Sequence, residues 1–176
     1  MLATLVAALT ALAIAATATI EPSPPAVLEA GLGFVSGTLA GQVTIDVSVR
    51  RLPLVPSLTS AVVFISAVAI SDIERLGPVM AGAAAMTLIT ATLRWLGRGQ
   101  LGRGDVVLSP VLGALVGWLD PWAVGTAWVL TAVSAAVFAV GGLSLGRLGR
   151  RSPFPYGPFL VLGSVATMAL LVVNTP

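Results

Sequence analysis

Two aspartates, Asp46 and Asp105, are the side chains of this sequence whose type and setting could carry chemistry. The chain contains no histidine and no cysteine. This excludes Ser-His triads, thiol nucleophiles, disulfides and most zinc or haem sites. A pair of carboxylates needs none of these, because an ionised carboxylate can take a proton from water while a protonated partner donates to a carbonyl. Such a pair shares one proton and titrates as a unit.

Asp105 lies in the segment LGRGDVVLSP, residues 101–110. The segment contains an RGD tripeptide, which is an adhesion tag, and also a G-x-G-D pattern, which is a glycine-hinged carboxylate. Gly102 and Gly104 allow a sharp turn and a close backbone approach. We therefore expect them to aim the carboxylate off the start of a helix instead of burying it in a helix face. A simpler alternative is that Asp105 only caps that helix.

The composition predicts the setting of these aspartates. Hydrophobic residues make up 57% of the 176 residues and charged residues 9%, whereas soluble domains carry about 25% charged residues. A membrane-spanning helix needs roughly 20 apolar residues. The sequence therefore predicts an all-α, polytopic membrane bundle of about seven helices, folded as one domain over residues 1–176. Small and polar residues in several spans favour close helix packing in lipid.

Apolar runs separated by proline, glycine and charge place the spans. In order they are Leu2–Ile20, Ala26–Ile45, Leu54–Ile70, Pro78–Leu96, Val106–Leu119, Trp122–Leu145 and Pro158–Val173. The first span is also compatible with a peripheral helix or a secretory signal, because AATA offers small residues for cleavage, but it lacks the positive charge that precedes such signals. The four tryptophans are expected mainly in the two interfacial belts.

The arginines predict the orientation. With the N-terminus inside, eight of the nine fall in inner segments and one, Arg75, in an outer segment. The inner ones are Arg50, Arg51, Arg94, Arg98, Arg103, Arg147, Arg150 and Arg151. The C-terminus is then outside, and Asp46 and Asp105 both lie at the cytoplasmic edge. An adhesion role for the RGD tripeptide is excluded by this topology. Neutralisation of Asp46 by Arg50 or Arg51 stays an alternative to chemistry.

Three stretches in this order resemble the motifs of a known family. They are IDVSVRRLP at residues 45–53, GRGDVVL at 102–108 and PFPYGPFLVLG at 153–163. The chain resembles the prepilin peptidases, or type IV leader peptidases, which are membrane aspartic proteases of the G-x-G-D class. The resemblance extends from about Leu28 to Leu171.

The resemblance implies that Asp46 and Asp105 form a catalytic dyad without metal or cofactor. It implies supporting roles for Gly102, Gly104, Pro53, Gly157 and Pro158. The implied substrate is a type IV prepilin or pseudopilin, whose short basic leader is cut where the hydrophobic helix begins. Lipid contact is the first expectation for Arg50, Arg51 and Arg103, and contact with an acidic residue of the substrate is the second.

The sequence also departs from the family. Many members have Lys where this chain has Val107, and often Arg where it has Ser48, so substrate contacts are less well supported than the dyad. Larger members carry a cytoplasmic domain with cysteines and also N-methylate the new terminus. Since this chain has no cysteine, we predict peptidase activity without methyltransferase activity.

Two other classes of function stay open on the residues alone. A small transporter or channel could use the acid pair to bind a cation or relay protons, although such acids are expected near mid-membrane. A non-catalytic assembly subunit of a pilus or secretion system would tolerate loss of both aspartates. Nucleic-acid binding is not expected, because the net charge is only +2 and the arginines form no stripe.

Overall fold

The computed structural model describes residues 25–49, 54–98, 101–146 and 156–174, and side chains are described for all of these except 43–49 and 174. Six α-helices, and no strand, occur within these ranges. They are α1 (Ala26–Val49), α2 (Leu54–Ser71), α3 (Leu76–Leu96), α4 (Arg103–Leu119), α5 (Val124–Ser144) and α6 (Gly157–Asn174). Short 3-10 turns, Ile73–Arg75 and Pro121–Ala123, precede α3 and α5.

The all-α prediction is confirmed, and the six helices correspond to the second through seventh predicted spans. Three segments are long and apolar enough to cross a membrane, namely Leu54–Ser71, Ile73–Leu96 and Pro121–Ser144, and Gly157–Val173 is a shorter apolar helix. The chain is therefore a multi-pass membrane protein. The first predicted span, Leu2–Ile20, lies outside the described residues, so the count of seven stays a prediction.

Two helix boundaries differ from the prediction by three residues or more, and the other differences are of one or two residues. Helix α1 continues four residues beyond the predicted end at Ile45, and α4 begins at Arg103 instead of Val106. Both extensions enclose one of the two aspartates. Asp46 and Asp105 are thus helical residues close to helix ends, and neither is in a loop.

Side-chain contacts fix how the helices run relative to one another. Ser57 of α2 donates a hydrogen bond to the Gln42 side chain of α1 (2.8 Å), and Ser60 donates to Thr38 (2.8 Å). These pairs run in opposite chain directions, so α1 and α2 are antiparallel. At the far end of α2, Arg75 donates to the main-chain carbonyl of Trp118, near the end of α4 (3.2 Å).

The bundle consequently has two distinct ends. The end of α1, the start of α2, the end of α3 and the start of α4 lie together, and we name this the Asp105 end. The 3-10 turns, the start of α3 and the end of α4 lie together at the opposite end, which we name the Asp120 end.

Glycines bring α3 and α4 into backbone contact. A Cβ atom added to Gly117 of α4 would lie 2.6 Å from the Pro78 carbonyl oxygen of α3, and one added to Gly113 would lie 2.6 Å from Met86 Cβ. Gly82 of α3 meets the Gly113 carbonyl oxygen in the same contact. Because no side chain separates the two backbones, α3 and α4 pack as a tight antiparallel pair. This is the arrangement that small residues four apart promote in lipid.

Helix α4 is the centre of the bundle. Every residue from Val111 to Trp118 is buried. The core around it includes Phe64 and Met86, which have no exposed surface, and Phe64 meets Trp118 edge to face at 6.4 Å between ring centres. Helix α4 has 17 residues and carries an acid, Asp105, in its first turn. Because neighbouring helices surround α4, this acid contacts protein instead of lipid.

Candidate active site

Asp105 is the third residue of α4, and its side chain is buried, with 6% of its surface exposed. The Gly102 N–H donates to Asp105 Oδ2 at 3.2 Å. The Ser109 hydroxyl, one turn further along the helix, donates to the Asp105 main-chain carbonyl at 2.7 Å. The carboxylate also lies at the positive end of the helix dipole, which stabilises negative charge. The aspartate is therefore held at both its side chain and its backbone.

The expectation that Gly102 and Gly104 aim the carboxylate away from the helix is wrong. The helix starts before Asp105, so the side chain is part of the first turn and points into the bundle. Gly102 has φ −59°, which any residue adopts. A Cβ atom added to Gly102 would instead lie 3.0 Å from Asp105 Oδ2. Glycine is needed here because the carboxylate approaches the backbone closely.

The capping alternative accounts for part of this geometry. Asp105 does accept a hydrogen bond from the residue that precedes the helix, as an acid in the first turn often does. A cap, however, is usually solvated, and this carboxylate is buried. Burying a carboxylate is unfavourable unless it is bound or used, which marks Asp105 as a candidate functional group.

Asp46 lies in the last turn of α1, at the Asp105 end of the bundle. Its side chain is outside the described residues, and so is that of Ser48; Pro53, Arg50 and Arg51 are outside them altogether. The distance between the two carboxylates stays a prediction. The two helix ends that carry the aspartates do lie at the same end of the bundle.

A buried amide, Gln42, lies one helical turn before Asp46 and was missed by the sequence analysis. Gln42 is 2% exposed, and its Oε1 accepts the Ser57 hydroxyl hydrogen at 2.8 Å. Its Nε2 has no hydrogen-bond partner among the described residues. Residues four apart share a helix face, so Gln42 places a donor on the face of α1 that carries Asp46.

Tyr156, immediately before α6, is the second missed residue. Its ring stacks on Trp128 of α5, with ring centres 6.1 Å apart. Burial, and to a smaller extent the negative charge of Asp105, raise the pKa of Tyr156 to about 12. The phenol therefore stays protonated and lies close enough to Asp105 to sense its charge.

The start of α6 completes the surroundings of the site. Gly157 and Pro158 form the first turn of that helix and are buried. Phe159, in the first turn of α6, contacts Phe138 in the second half of α5 with ring centres 5.2 Å apart, so the start of α6 lies beside the later part of α5. The charge of Asp105 acts on Tyr156, so the start of α6 also lies near Asp105. Arg103, which precedes Asp105 by two residues, is exposed and free to meet lipid headgroups or a ligand.

The four tryptophans fall into an exposed pair and a largely buried pair, and their placement in interfacial belts stays a prediction. Trp95 and Trp122 are 79% and 89% exposed at opposite ends of the bundle. Trp118 is 7% exposed, and Trp128 is partly buried against the core. Composition could not separate these pairs, because all four tryptophans lie near predicted span ends.

The described residues contain no cluster of three or more metal-ligating side chains. The chemistry that this end of the bundle offers is proton transfer by carboxylate, supported by amide and phenol donors. One carboxylate, Asp105, is placed by the structure; Asp46 is its candidate partner.

Curated proteins similar to this chain are all prepilin leader peptidase/N-methyltransferases. The protein from Bacillus subtilis is 30% identical over 84 residues, which is 48% of this chain and 33% of the relative. That from Aeromonas salmonicida is 32% identical over 92 residues (49% of this chain, 31% of the relative). That from Burkholderia pseudomallei is 34% identical over 92 residues (49% and 29%).

These relatives confirm the resemblance to the prepilin peptidase family. The matched part of the chain spans about a third of the length of the curated relatives. No protein-family model matches the chain. No solved structure matches it either.

Proposed function

From the relationship to the prepilin leader peptidases, we propose that this chain is a membrane aspartic endopeptidase. Its substrates are the type IV prepilins or pseudopilins, and it cuts their N-terminal leader at the cytoplasmic edge of the cell membrane. The observation that carries the proposal is the buried Asp105 carboxylate in the first turn of α4, at the end of the bundle where the Asp46 helix ends. A structural cap does not require such burial.

In the proposed mechanism Asp46 and Asp105 share one proton. The ionised carboxylate takes a proton from a water molecule, and the water oxygen attacks the carbonyl carbon of the scissile peptide. The protonated carboxyl donates its hydrogen to the carbonyl oxygen, which gives a neutral tetrahedral diol. When the diol collapses, the C–N bond breaks and the amine nitrogen takes the proton of the protonated carboxyl. One diol hydroxyl gives its proton to the ionised carboxylate, so the product carbonyl forms and the dyad again holds one shared proton.

The position of the site supports cleavage at the edge of the membrane. A leader of basic residues stays in water on the arginine-rich side, while the hydrophobic helix of the substrate lies in lipid. With the N-terminus inside and the C-terminus outside, the Asp105 end faces the cytoplasm. Arg50, Arg51 and Arg103 then contact lipid headgroups or an acidic residue of the substrate. We propose leader cleavage without methylation, since the chain has no cysteine.

The proposal is tested by co-expressing the chain with a prepilin that has a basic leader, a glycine and a hydrophobic helix. Cleavage is read as a mobility shift of the pilin, and the amount of enzyme in the membrane is measured beside it. Asp46→Asn and Asp105→Asn are each expected to abolish cleavage, by 10³-fold or more, while the protein still accumulates. Glu29→Gln is the matched control, because Glu29 is an exposed acid in the first turn of α1.

Full cleavage by Asp105→Asn or Asp46→Asn would overturn the dyad. Absence of cleavage by the wild type, together with ion flux in liposomes that depends on these aspartates, would instead support a transporter. Absence of both, with pilus assembly that tolerates loss of the two aspartates, would support an assembly subunit.

A further inference from the structure

Arg94, in the last turn of α3, binds the segment that leads into the Asp105 helix. Its guanidinium Nη1 donates to the main-chain carbonyl oxygen of Leu101. The bond crosses the turn between α3 and α4, which begins at Gly97 and includes Arg98 in a left-handed conformation (φ 51°). Arg94 is half-buried, whereas the neighbouring Arg98 and Arg103 are exposed.

One peptide group links Arg94 to Asp105. The carbonyl that Arg94 binds and the N–H that Asp105 Oδ2 accepts from belong to the same amide, between Leu101 and Gly102. A cation on the carbonyl polarises an amide and makes its N–H a stronger donor, because hydrogen bonds in a chain reinforce one another. The positive charge of Arg94 therefore acts on the carboxylate through the bonds of one amide as well as through space.

We infer that Arg94 is a positioning residue for Asp105 and selects it as the ionised member of the proposed dyad. Hydrogen bonding to the charged form of a carboxylate favours that form. Asp105 is then the base that takes a proton from water, and Asp46 holds the shared proton. This inference rests on the proposed function, because it assigns roles within the proposed peptidase site.

The described helices that pack against α4 carry few charged groups. The helices packed against α4 are α2, α3, α5 and α6, and of these α2, α5 and α6 contain no ionisable side chain. Tyr156, before α6, is uncharged because its pKa is raised to about 12. Asp46 on α1 is the proposed partner. Arg94 is the one charged side chain of α3, and it binds the Leu101 carbonyl that precedes the Asp105 helix.

The test compares Arg94→Gln, Arg94→Lys and Arg98→Gln by the pH dependence of prepilin cleavage in detergent or liposomes. Arg98→Gln removes the same charge from the same end of the bundle but no contact to Leu101. Loss of Arg94 raises the lower apparent pKa of the pair, so the acid limb of the profile should move to higher pH, by about half a unit. The position of that limb does not depend on how much enzyme is folded.

Arg94→Gln is also expected to lower the rate at the pH optimum about tenfold, since a displaced carboxylate reacts poorly. Arg94→Lys keeps the charge and a donor, and its acid limb should lie between those of the wild type and Arg94→Gln. Arg98→Gln should leave the limb in place. An unmoved limb in Arg94→Gln, or an equal shift in Arg98→Gln, overturns the inference. Such results leave the proposed function intact as long as Asp46→Asn and Asp105→Asn remain inactive.

Discussion

The two ends of the bundle use acidic side chains in opposite ways. At the Asp120 end, Asp72 pairs with Arg75 (3.2 Å) and Asp120 accepts the Trp122 N–H (2.9 Å). Both acids begin 3-10 turns, and Arg75 also lies over the Trp118 ring at 5.7 Å. These acids are partly exposed and satisfy the backbone of a turn, so their role is structural.

At the Asp105 end, an acid is buried, and a buried amide on α1 has a donor without a partner among the described residues. Asp105 is held by one backbone N–H whose amide is bound by a cation, and Gln42 lies on the helix that carries Asp46. Burial of polar groups in a membrane protein is unfavourable and usually marks function. The difference teaches that position in a first helical turn does not determine the role of an acid; burial and the groups around it do.

Substitution of Gly117 by alanine should damage the Asp120 end most. The added Cβ would lie 2.6 Å from the Pro78 carbonyl oxygen and 3.0 Å from Gly82 Cα, so α3 and α4 must separate. We expect a loss of about 2 kcal/mol of stability, measured by denaturation in detergent. Cleavage per folded molecule should be unchanged. Gly125→Ala is the control, because nothing lies within 4 Å of its added Cβ.

Gly102→Ala, at the Asp105 end, is expected to lower the cleavage rate and to leave stability nearly unchanged, which is the opposite of Gly117→Ala. The methyl group would press on Asp105 Oδ2 at 3.0 Å and displace the carboxylate, which should lower the cleavage rate about tenfold with little change in stability. Gly141→Ala is the control, because Gly141 lies near the end of α5 with open space around it. A stability loss without a rate loss in Gly102→Ala would contradict the comparison.

Removal of the Asp120 cap at the Asp120 end should have a smaller effect on stability than Gly117→Ala. Asp120→Ala deletes the acceptor of the Trp122 N–H and is expected to lower stability by about 1 kcal/mol. Asp120→Asn keeps an oxygen in place and should restore most of that stability. Neither should alter the cleavage rate of folded enzyme. A rate loss in both variants would assign chemistry to the Asp120 end.

The smallest expected effect concerns Tyr156, which is the single tyrosine of the chain. A near-ultraviolet absorbance titration therefore reports this phenol alone, with an expected midpoint of about 12 in place of 10.0. Asp105→Asn removes the smaller of two causes and should lower the midpoint while leaving it above 10.0; Asp120→Asn should leave it unchanged.

The same shift makes stability depend on pH at the alkaline extreme. The raised pKa means that the folded state holds the phenol proton more tightly than the unfolded state. Its contribution is complete below pH 10.0 and is lost as the pH rises towards about 12. Equal midpoints in the wild type and Asp105→Asn would show that the two groups are too far apart to interact.

Most of the helical architecture could be predicted from the sequence. Apolar runs between charged or proline-rich joints place the starts of α1 and α2 and the ends of α3 and α4 at the residues where the structure has them. Membrane-spanning helices are well suited to such prediction, because lipid forces the backbone to satisfy its hydrogen bonds within each span. The extensions of α1 and α4 around the aspartates were missed, because charge was taken to end a span.

The candidate site could be predicted only in part. Motifs identified Asp105 and the segment with Gly157 and Pro158, and the structure brings these to neighbouring helix starts. The sequence could not show that Arg94 binds the Leu101 carbonyl, since that contact depends on the shape of the turn. Gln42 could have been identified from the sequence, because an amide in a span of small and apolar residues is expected to form a hydrogen bond to a neighbouring helix.

The glycine contact between α3 and α4 also bears on the order in which the protein forms. The two helices are joined by a short turn and meet through local contacts, which form early because little loop entropy is lost. The α3–α4 pair can therefore close before α6, which lies further along the chain, packs against α4. The Leu101–Gly102 amide and Asp105 are then in place before α6 brings Tyr156 near them. A site assembled in this order is complete only once the whole bundle has closed.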